Sequence, residues 1–325
     1  MRLFLIASFS FIITFFSCNK DTASEYTNDQ ETEVLAGTTH NHSFMSEGIN
    51  RNYQIHFPPS YDGKTELPLL IGLHGGQSDG SAMMDNFYFD EIGDSEGFIT
   101  VFPDSYDNEW ADGRGTTTAE LDGVDDVAFL SNLVEELLST YKINACQLYL
   151  TGISSGGMMT QRMACDNSDR FAAYASIACS LPNQYVPNCL PQSFVSMAMV
   201  NGTEDQFSPY EGGASNVPNS TGTVLGVSGT IEFWTNHNQC NQALNPSITN
   251  YPDINTEDNS YVIRYDYGEC SQNTGIVLYE VVGGGHTFPG GPGPSYVPIV
   301  GYANKDINGA EEIWDFFKDK TSCMN

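Results

Sequence analysis

The chain carries Gly152-Ile153-Ser154-Ser155-Gly156, a G-x-S-x-G pentapeptide entered from the apolar run Leu148-Tyr149-Leu150-Thr151 and left through Gly157-Met158-Met159. A strand that turns sharply into a helix needs residues without bulk on either side of the turn. It lifts a serine Oγ above the sheet edge, with the positive end of the helix behind it. Ser154 is therefore the candidate nucleophile. A serine hydroxyl is inert at its own pKa and needs a base, and the base needs an orienting group. Both follow in the chain. Phe194–Val200 leads into Asn201-Gly202-Thr203-Glu204-Asp205, and Ile276–Val282 leads into Gly283-Gly284-Gly285-His286-Thr287-Phe288-Pro289-Gly290-Gly291.

The order Ser154, acid, His286 is that of α/β-hydrolases and differs from the orders of the two common serine-protease folds. Each candidate also follows a strand, where parallel sheets place their ligands. Of the six histidines, His40 and His42 precede the first expected strand, His56 lies within a strand and His237 in a polar helical stretch. Exposure or packing accounts for those four. His286 alone sits between glycines that let a loop bend and a Phe-Pro-Gly-Gly segment that fixes it. Glu204 and Asp205 both qualify as the orienting acid, since either residue type serves in this fold. A tetrahedral intermediate also needs two preorganised N–H donors. Pro68–Leu73 empties into His74-Gly75-Gly76, so the donors are assigned to Gly76 and Ser155, and His74 is read as a structural brace for the loop.

These residues must be held by alternating strands and helices. Arg51–Phe57, Leu69–Leu73, Ile99–Phe102, Leu148–Leu150, Tyr174–Ala178, Val195–Val200, Val262–Tyr265 and Ile276–Val282 read as strands. Val127–Leu138, Met158–Met163 and Ala310–Phe317 read as helices. The pattern predicts an α/β protein with a mostly parallel sheet covered on both faces. Asp125 and Asp126 are expected to cap the Val127 helix. No cysteine or histidine spacing resembles a zinc site, and no metal or cofactor is expected, the acidic residues around Asp122 included.

The runs "LHGG", "GISSGGMM", "NGTEDQFSPYEGG", "GGGHTFPGG" and "EEIWDFF" together resemble secreted esterases of the polyhydroxybutyrate depolymerase and feruloyl esterase type, grouped with carbohydrate esterase family one. The resemblance runs from about residue 46 to 320 in family order. It implies the α/β-hydrolase fold and a serine esterase that works through an acyl-enzyme, and it assigns Asp205 rather than Glu204 as the acid. It also touches "FPDSYDNEWADGRG", where the family carries a tryptophan near the active-site mouth, here Trp110. The chain departs from the family at Asn201, usually histidine, and at Phe288, usually tryptophan. Trp110, Tyr210 and Phe288 are the aromatic candidates for stacking on a sugar or a phenolic acyl group. The expected substrates are feruloyl or acetyl esters on polysaccharides. A depolymerase of insoluble polyhydroxybutyrate is the runner-up, disfavoured because such enzymes generally gain from an adhesive module. A serine peptidase and an inactive binding protein rank lower still.

Length and composition fit one catalytic domain, since 325 residues with 40% hydrophobic content suffice for a single large core. Arg2 followed by an apolar run from Leu3 to Phe16 is too short to span a bilayer and reads as an export signal. Cys18, followed by Asn19-Lys20-Asp21, resembles a lipoprotein cleavage site whose cysteine becomes lipidated. The expected organisation is a signal peptide over 1–18, a flexible tether over 19–45 and the esterase domain over 46–323, at the surface of a bacterium or outside it. A net charge of −29 argues against nucleic acid and anionic membranes as partners. Any membrane contact would run through the lipid anchor. An odd number of the eight cysteines remains beside Cys18, so at least one stays free or pairs outside the chain. Cys240 with Cys270 is the first expected disulfide and Cys179 with Cys189 the second, while Cys146 and Cys165 are expected to lie too far apart to pair with each other.

Overall fold

Apolar runs of four to seven residues bounded by Gly, Pro and Asp become the inner strands of one ten-stranded sheet in the computed structural model, which describes residues 35–216, 221–241, 245–291 and 296–323. The expected export signal, Cys18 and the tether as far as Val34 lie outside the described residues. Along the chain the main strands are β1 (Thr38–Ser46), β2 (Ile49–Phe57), β3 (Leu67–Leu73), β4 (Ile99–Pro103), β5 (Ile143–Ile153), β6 (Ala173–Ile177) and β7 (Met197–Gly202). A short ladder of β8 (Gly213–Ala214) with β9 (Thr223–Val224) follows. Then come β10 (Ser247–Asn250), β11 (Tyr261–Tyr267), β12 (Ile276–Val282) and a second short ladder of β13 (Tyr296–Val297) with β14 (Gly301–Tyr302). The helices are α1 (Gly80–Phe87), α2 (Phe89–Glu96), α3 (Thr118–Leu121), α4 (Asp126–Thr140), α5 (Ser155–Asp166), α6 (Val227–His237) and α7 (Gly309–Phe317).

The sheet order is β1-β2-β4-β3-β5-β6-β7-β12-β11-β10. Pairing is parallel from β4 across to β12 and antiparallel at both edges. Every residue of β4, β6 and β7 is buried, as strands covered on both faces require, which is why their sequences read as continuous apolar runs. Leu133 and Val134 of α4, Met159 of α5 and Trp234 of α6 pack one face, and Met83 of α1, Ile92 of α2 and Phe317 of α7 pack the other. This is the α/β-hydrolase arrangement.

Three expectations need correction. Residues 38–46 are not tether: they form β1, paired with β2 from Thr38↔Phe57 to Ser46↔Ile49. His40 and His42 therefore lie inside the first strand and not ahead of it. An edge strand gains its ladder from backbone pairing and buries little, so "TTHNHSFMS" shows no apolar alternation; Phe44 nevertheless stacks on Phe129. Asp125 caps α4 by accepting from Ala128 N–H at 3.0 Å, but Asp126 does not. It is fully buried, paired with Arg51 at 2.8 Å and accepting from Ala111 N–H at 2.8 Å.

The third correction concerns sulfur. Cys240 and Cys270 are joined as expected, but Cys189 pairs with Cys165 and not with Cys179, and Cys146 pairs with Cys323. Cys179 is a buried free thiol. It sits beneath α5, where a Cβ on Gly157 would come within 2.6 Å of its Sγ, whereas Cys165 at the far end of that helix meets the Cys189 turn. Burial pushes the Cys179 thiol up to about 12, so it stays protonated and unreactive. Peptide mapping without reductant should find the three bridges named here, with Cys179 alkylated only after unfolding. Removing the Cys240–Cys270 bridge should cost on the order of 3 kcal/mol of stability by denaturant titration; a loss below about 0.5 kcal/mol would mean the closure does not constrain the unfolded chain.

Candidate active site

Ser154 occupies the single residue between β5 and α5, with φ 55° and ψ −120°. A non-glycine residue there is strained by about 1–3 kcal/mol and persists only where the surroundings leave no alternative. The surroundings are tight. A Cβ on Gly152 would lie 2.4 Å from the Gly156 carbonyl oxygen, and one on Gly156 would lie 2.4 Å from the carbonyl oxygens of both Leu73 and His74. The strand, the helix and the β3 loop therefore meet at distances only glycine allows. Ser154 N–H donates to Ile177 O at 2.8 Å, which ties the turn to β6.

Asp205 and His286 arrive from neighbouring parallel strands. Asp205 follows β7, and His286 follows β12 through three glycines; a Cβ on Gly202 would meet Gly284 O at 2.3 Å, and one on Gly285 would overlap Val300 O. Asp205 Oδ2 accepts from His286 Nδ1 at 2.7 Å. Its other oxygen accepts from Phe207 N–H at 2.8 Å and Ser208 N–H at 2.9 Å, so the buried carboxylate is held from both sides. With Nδ1–H directed at Asp205, Nε2 is left as the basic nitrogen. The Phe207 ring packs on the imidazole at 5.1 Å between centroids. Glu204 is exposed and makes no such bond among the described residues.

Ser154 and His286 line one cavity of about 250 Å³ together with His74, Gly75 and Gly76. No hydrogen bond joins Ser154 to His286 among the described residues; such bonds are often long before substrate binds. Ser155 opens α5, so its N–H has no acceptor within the helix. The Gly75-Gly76 loop lies against it, with a Cβ on Gly75 3.5 Å from Ser154 Cβ and one on Gly76 3.5 Å from Ser155 Oγ. His74 braces this loop. Its Nδ1 donates to Gly75 O at 2.7 Å, its Nε2 accepts from Ser105 N–H at 3.0 Å, and its own carbonyl accepts from the Trp110 indole N–H at 2.9 Å. These bonds require the neutral ring, and burial holds the His74 imidazole below its ordinary value.

No protein-family model matches the chain. It is 26% identical over 275 residues to the bifunctional acetylxylan esterase/xylanase XynS20E of Neocallimastix patriciarum, covering 85% of this chain and 34% of that protein. It is 27% identical over 243 residues to feruloyl esterase B of Piromyces equi, covering 73% and 42% respectively. The chain is a homologue of acetylxylan and feruloyl esterases. A putative esterase, NocK of Nocardia uniformis subsp. tsuyamanensis, is 24% identical over 87% of this chain and 83% of its own length. Among solved structures, the acetyl xylan esterase from Aspergillus awamori superposes with a TM-score of 0.60 at 14% identity, over 87% of this chain and 99% of that one, and so shares its fold. This esterase homologue spans about a third of the Neocallimastix protein and under half of the Piromyces protein.

The three aromatics expected to grip substrate are placed elsewhere. Trp110 is wholly buried behind the His74 loop, so its ring has no access to a sugar. Tyr210 bonds Glu280 at 2.7 Å and lines a different cavity. Phe288 is buried against Phe87 and Phe89. The wall of the triad cavity is α1 instead, through Met83, Asn86 and Phe87, with Ile153 beside Ser154. Sequence reading passed over α1, although Asp79, whose side chain accepts from Ala82 N–H at 2.8 Å, is an N-cap signal in the right place. Asn201, where the family usually has histidine, is a buried packing residue whose amide donates to Cys179 O at 2.9 Å.

Asp205→Asn should lower kcat by about 10⁴ through the wrong histidine tautomer, while Glu204→Gln stays within a few-fold of wild type; the reverse ranking in steady-state kinetics would reassign the acid. A second expectation concerns His74. Its folded pKa lies below the unfolded value near 6.5, so below about pH 6.5 the unfolded chain binds more protons and stability falls with pH. The urea midpoint of His74→Asn should therefore decline less steeply than that of wild type as pH drops from about 7 to 5. Parallel declines would show that His74 titrates normally.

Proposed function

We propose that the chain is a serine carboxylic-ester hydrolase acting on acetyl or feruloyl esters of polysaccharides. The observation that carries the reading is the buried Asp205–His286 hydrogen bond opening onto the cavity that holds the strained Ser154. His286 Nε2 takes the Ser154 proton as Oγ attacks the ester carbonyl. Asp205 keeps the imidazole in the required tautomer and stabilises its cationic form. The N–H groups of Gly76 and Ser155 receive the oxyanion, each donor being worth about 10²–10³ in rate. His286 then protonates the leaving sugar hydroxyl. Water, activated by the same base, releases the acid from the acyl-enzyme and restores Ser154.

The homology to acetylxylan and feruloyl esterases supports the ester and polysaccharide parts of this reading. The three disulfides suit an oxidising compartment outside the cytoplasm. Export through the N-terminal apolar run, followed by lipidation at Cys18, is the proposed route to the cell surface.

Purified protein should release acetate from acetylated xylan or ferulate from feruloylated arabinoxylan, and Ser154→Ala should lose about 10⁴–10⁶ of that kcat while keeping the wild-type melting temperature. Activity above about a tenth of wild type in Ser154→Ala would move the nucleophile elsewhere. Hydroxybutyrate release from a polyester film, with neither acid freed from xylan, would replace the substrate assignment.

A further inference from the structure

The sheet does not stop at β12, the strand that delivers His286. It continues into β11 and β10, an antiparallel extension that carries no triad residue. It carries tyrosines. Tyr265 and Tyr267 of β11, with Tyr210 from the loop after Asp205, line a cavity of about 820 Å³ whose far wall is α6. None of its lining residues belongs to the triad cavity. Glu280 of β12 fixes two of the rings, accepting from the Tyr210 hydroxyl at 2.7 Å on one oxygen and from the Tyr265 hydroxyl at 3.0 Å on the other. Burial and the neighbouring Glu280 push the Tyr265 hydroxyl up to about 12, so it remains a donor at any working pH. Ile248 of β10, opposite Tyr265 in the ladder, is 59% exposed and carries the apolar face on to the sheet edge.

We propose that this groove binds a neutral glycan chain, giving the protein a polysaccharide subsite outside the triad cavity; the choice of glycan rests on the polysaccharide-esterase reading. Aromatic rings held by a carboxylate offer flat apolar surface at low entropic cost, which suits the C–H faces of pyranose rings. The amides of Asn236 and Asn241, which also line the groove, supply uncharged donors and acceptors for sugar hydroxyls. Charge selects among ligands. No lysine or arginine lines the groove among the described residues, and the chain carries a net charge of −29, so a polyanion is repelled. A basic peptide would find only Glu232 of α6, an exposed carboxylate whose attraction salt screens, since both oxygens of Glu280 are already engaged by tyrosine hydroxyls.

The test is electrophoresis of the full chain through native gels containing neutral, de-esterified arabinoxylan, which offers no ester to the triad. Wild type should be retarded, and equally so in about 0.5 M salt, since stacking and neutral hydrogen bonds are not screened. Tyr265→Ala and Tyr267→Ala should each weaken retardation about tenfold, and Tyr267→Phe should keep it. Circular dichroism melts check that the variants are folded, and if Tyr265→Ala is not, the Tyr267 pair decides. Unretarded wild type, retardation abolished by salt, or folded Tyr267→Ala retarded like wild type would each overturn the proposal. Hydrolysis of a small soluble acetyl ester by wild type tests the esterase reading separately: its absence alongside glycan retardation would sink the esterase and spare the groove.

Discussion

The tight backbone approach at the nucleophile turn, the carbonyl oxygens of Leu73 and His74 against Gly156, is the constraint on which the rest of the structure depends. Three segments, the end of β3, the end of β5 and the start of α5, share a volume with no room for a single methyl group. With α5 pinned there, the chain leaving β5 can enter the helix only by turning Ser154 through positive φ. That turn presents Oγ to the cavity and lays the first N–H groups of α5 beside the Gly75-Gly76 loop. Nucleophile and oxyanion donors are thus positioned by one contact, and the strain at Ser154 is offset by the packing of the helix behind it.

Buried hydrogen bonds then remove the freedom that remains. The carbonyl of His74 is claimed by Trp110 and its ring by Gly75 and Ser105. Asp205 is claimed by Phe207, Ser208 and His286. A donor or acceptor left unpaired in such a place costs about 1–3 kcal/mol, which makes the paired geometry stiff. Stiffness matters because dipoles already aimed at the developing charge need no reorganisation during the reaction. The same region contains exceptions, Ser105 Oγ, Ser155 Oγ, Asn201 Oδ1 and Ser208 Oγ among them, buried without a partner among the described residues. Each lies next to a catalytic element, where the backbone has been arranged for the turn and not for these side chains.

The parallel core and the antiparallel extension divide the work. Strands β3, β5, β7 and β12 end at one edge of the sheet and deliver the oxyanion loop, Ser154, Asp205 and His286 in turn. Beyond β12, β11 and β10 contribute nothing to that constellation, and β11 instead presents Tyr265 and Tyr267 opposite α6. Chemistry and chain binding would then sit on one rigid sheet, joined through the segment that runs from Asp205 to Tyr210.

Several features were legible in the amino-acid order alone because their causes are local. Ser154 needs glycines two residues to either side, His286 needs flexible residues before it, and strands buried on both faces need unbroken apolar runs such as Met197-Ala198-Met199-Val200 in β7. Each writes a short, dense pattern. What only the tertiary structure decided depends on groups far apart in the chain. Trp110 and Phe288 read equally well as substrate contacts or as packing, and burial made them packing. Cys189 chose Cys165 over Cys179 because Cys165 lies in the last turn of α5, beside the Cys189 turn, whereas Cys179 lies against the first. The strand β1 left no pattern, since an edge strand is held by hydrogen bonds between main-chain groups that every residue possesses. Side-chain chemistry names the candidates, but distance, exposure and partner are properties of the packed chain.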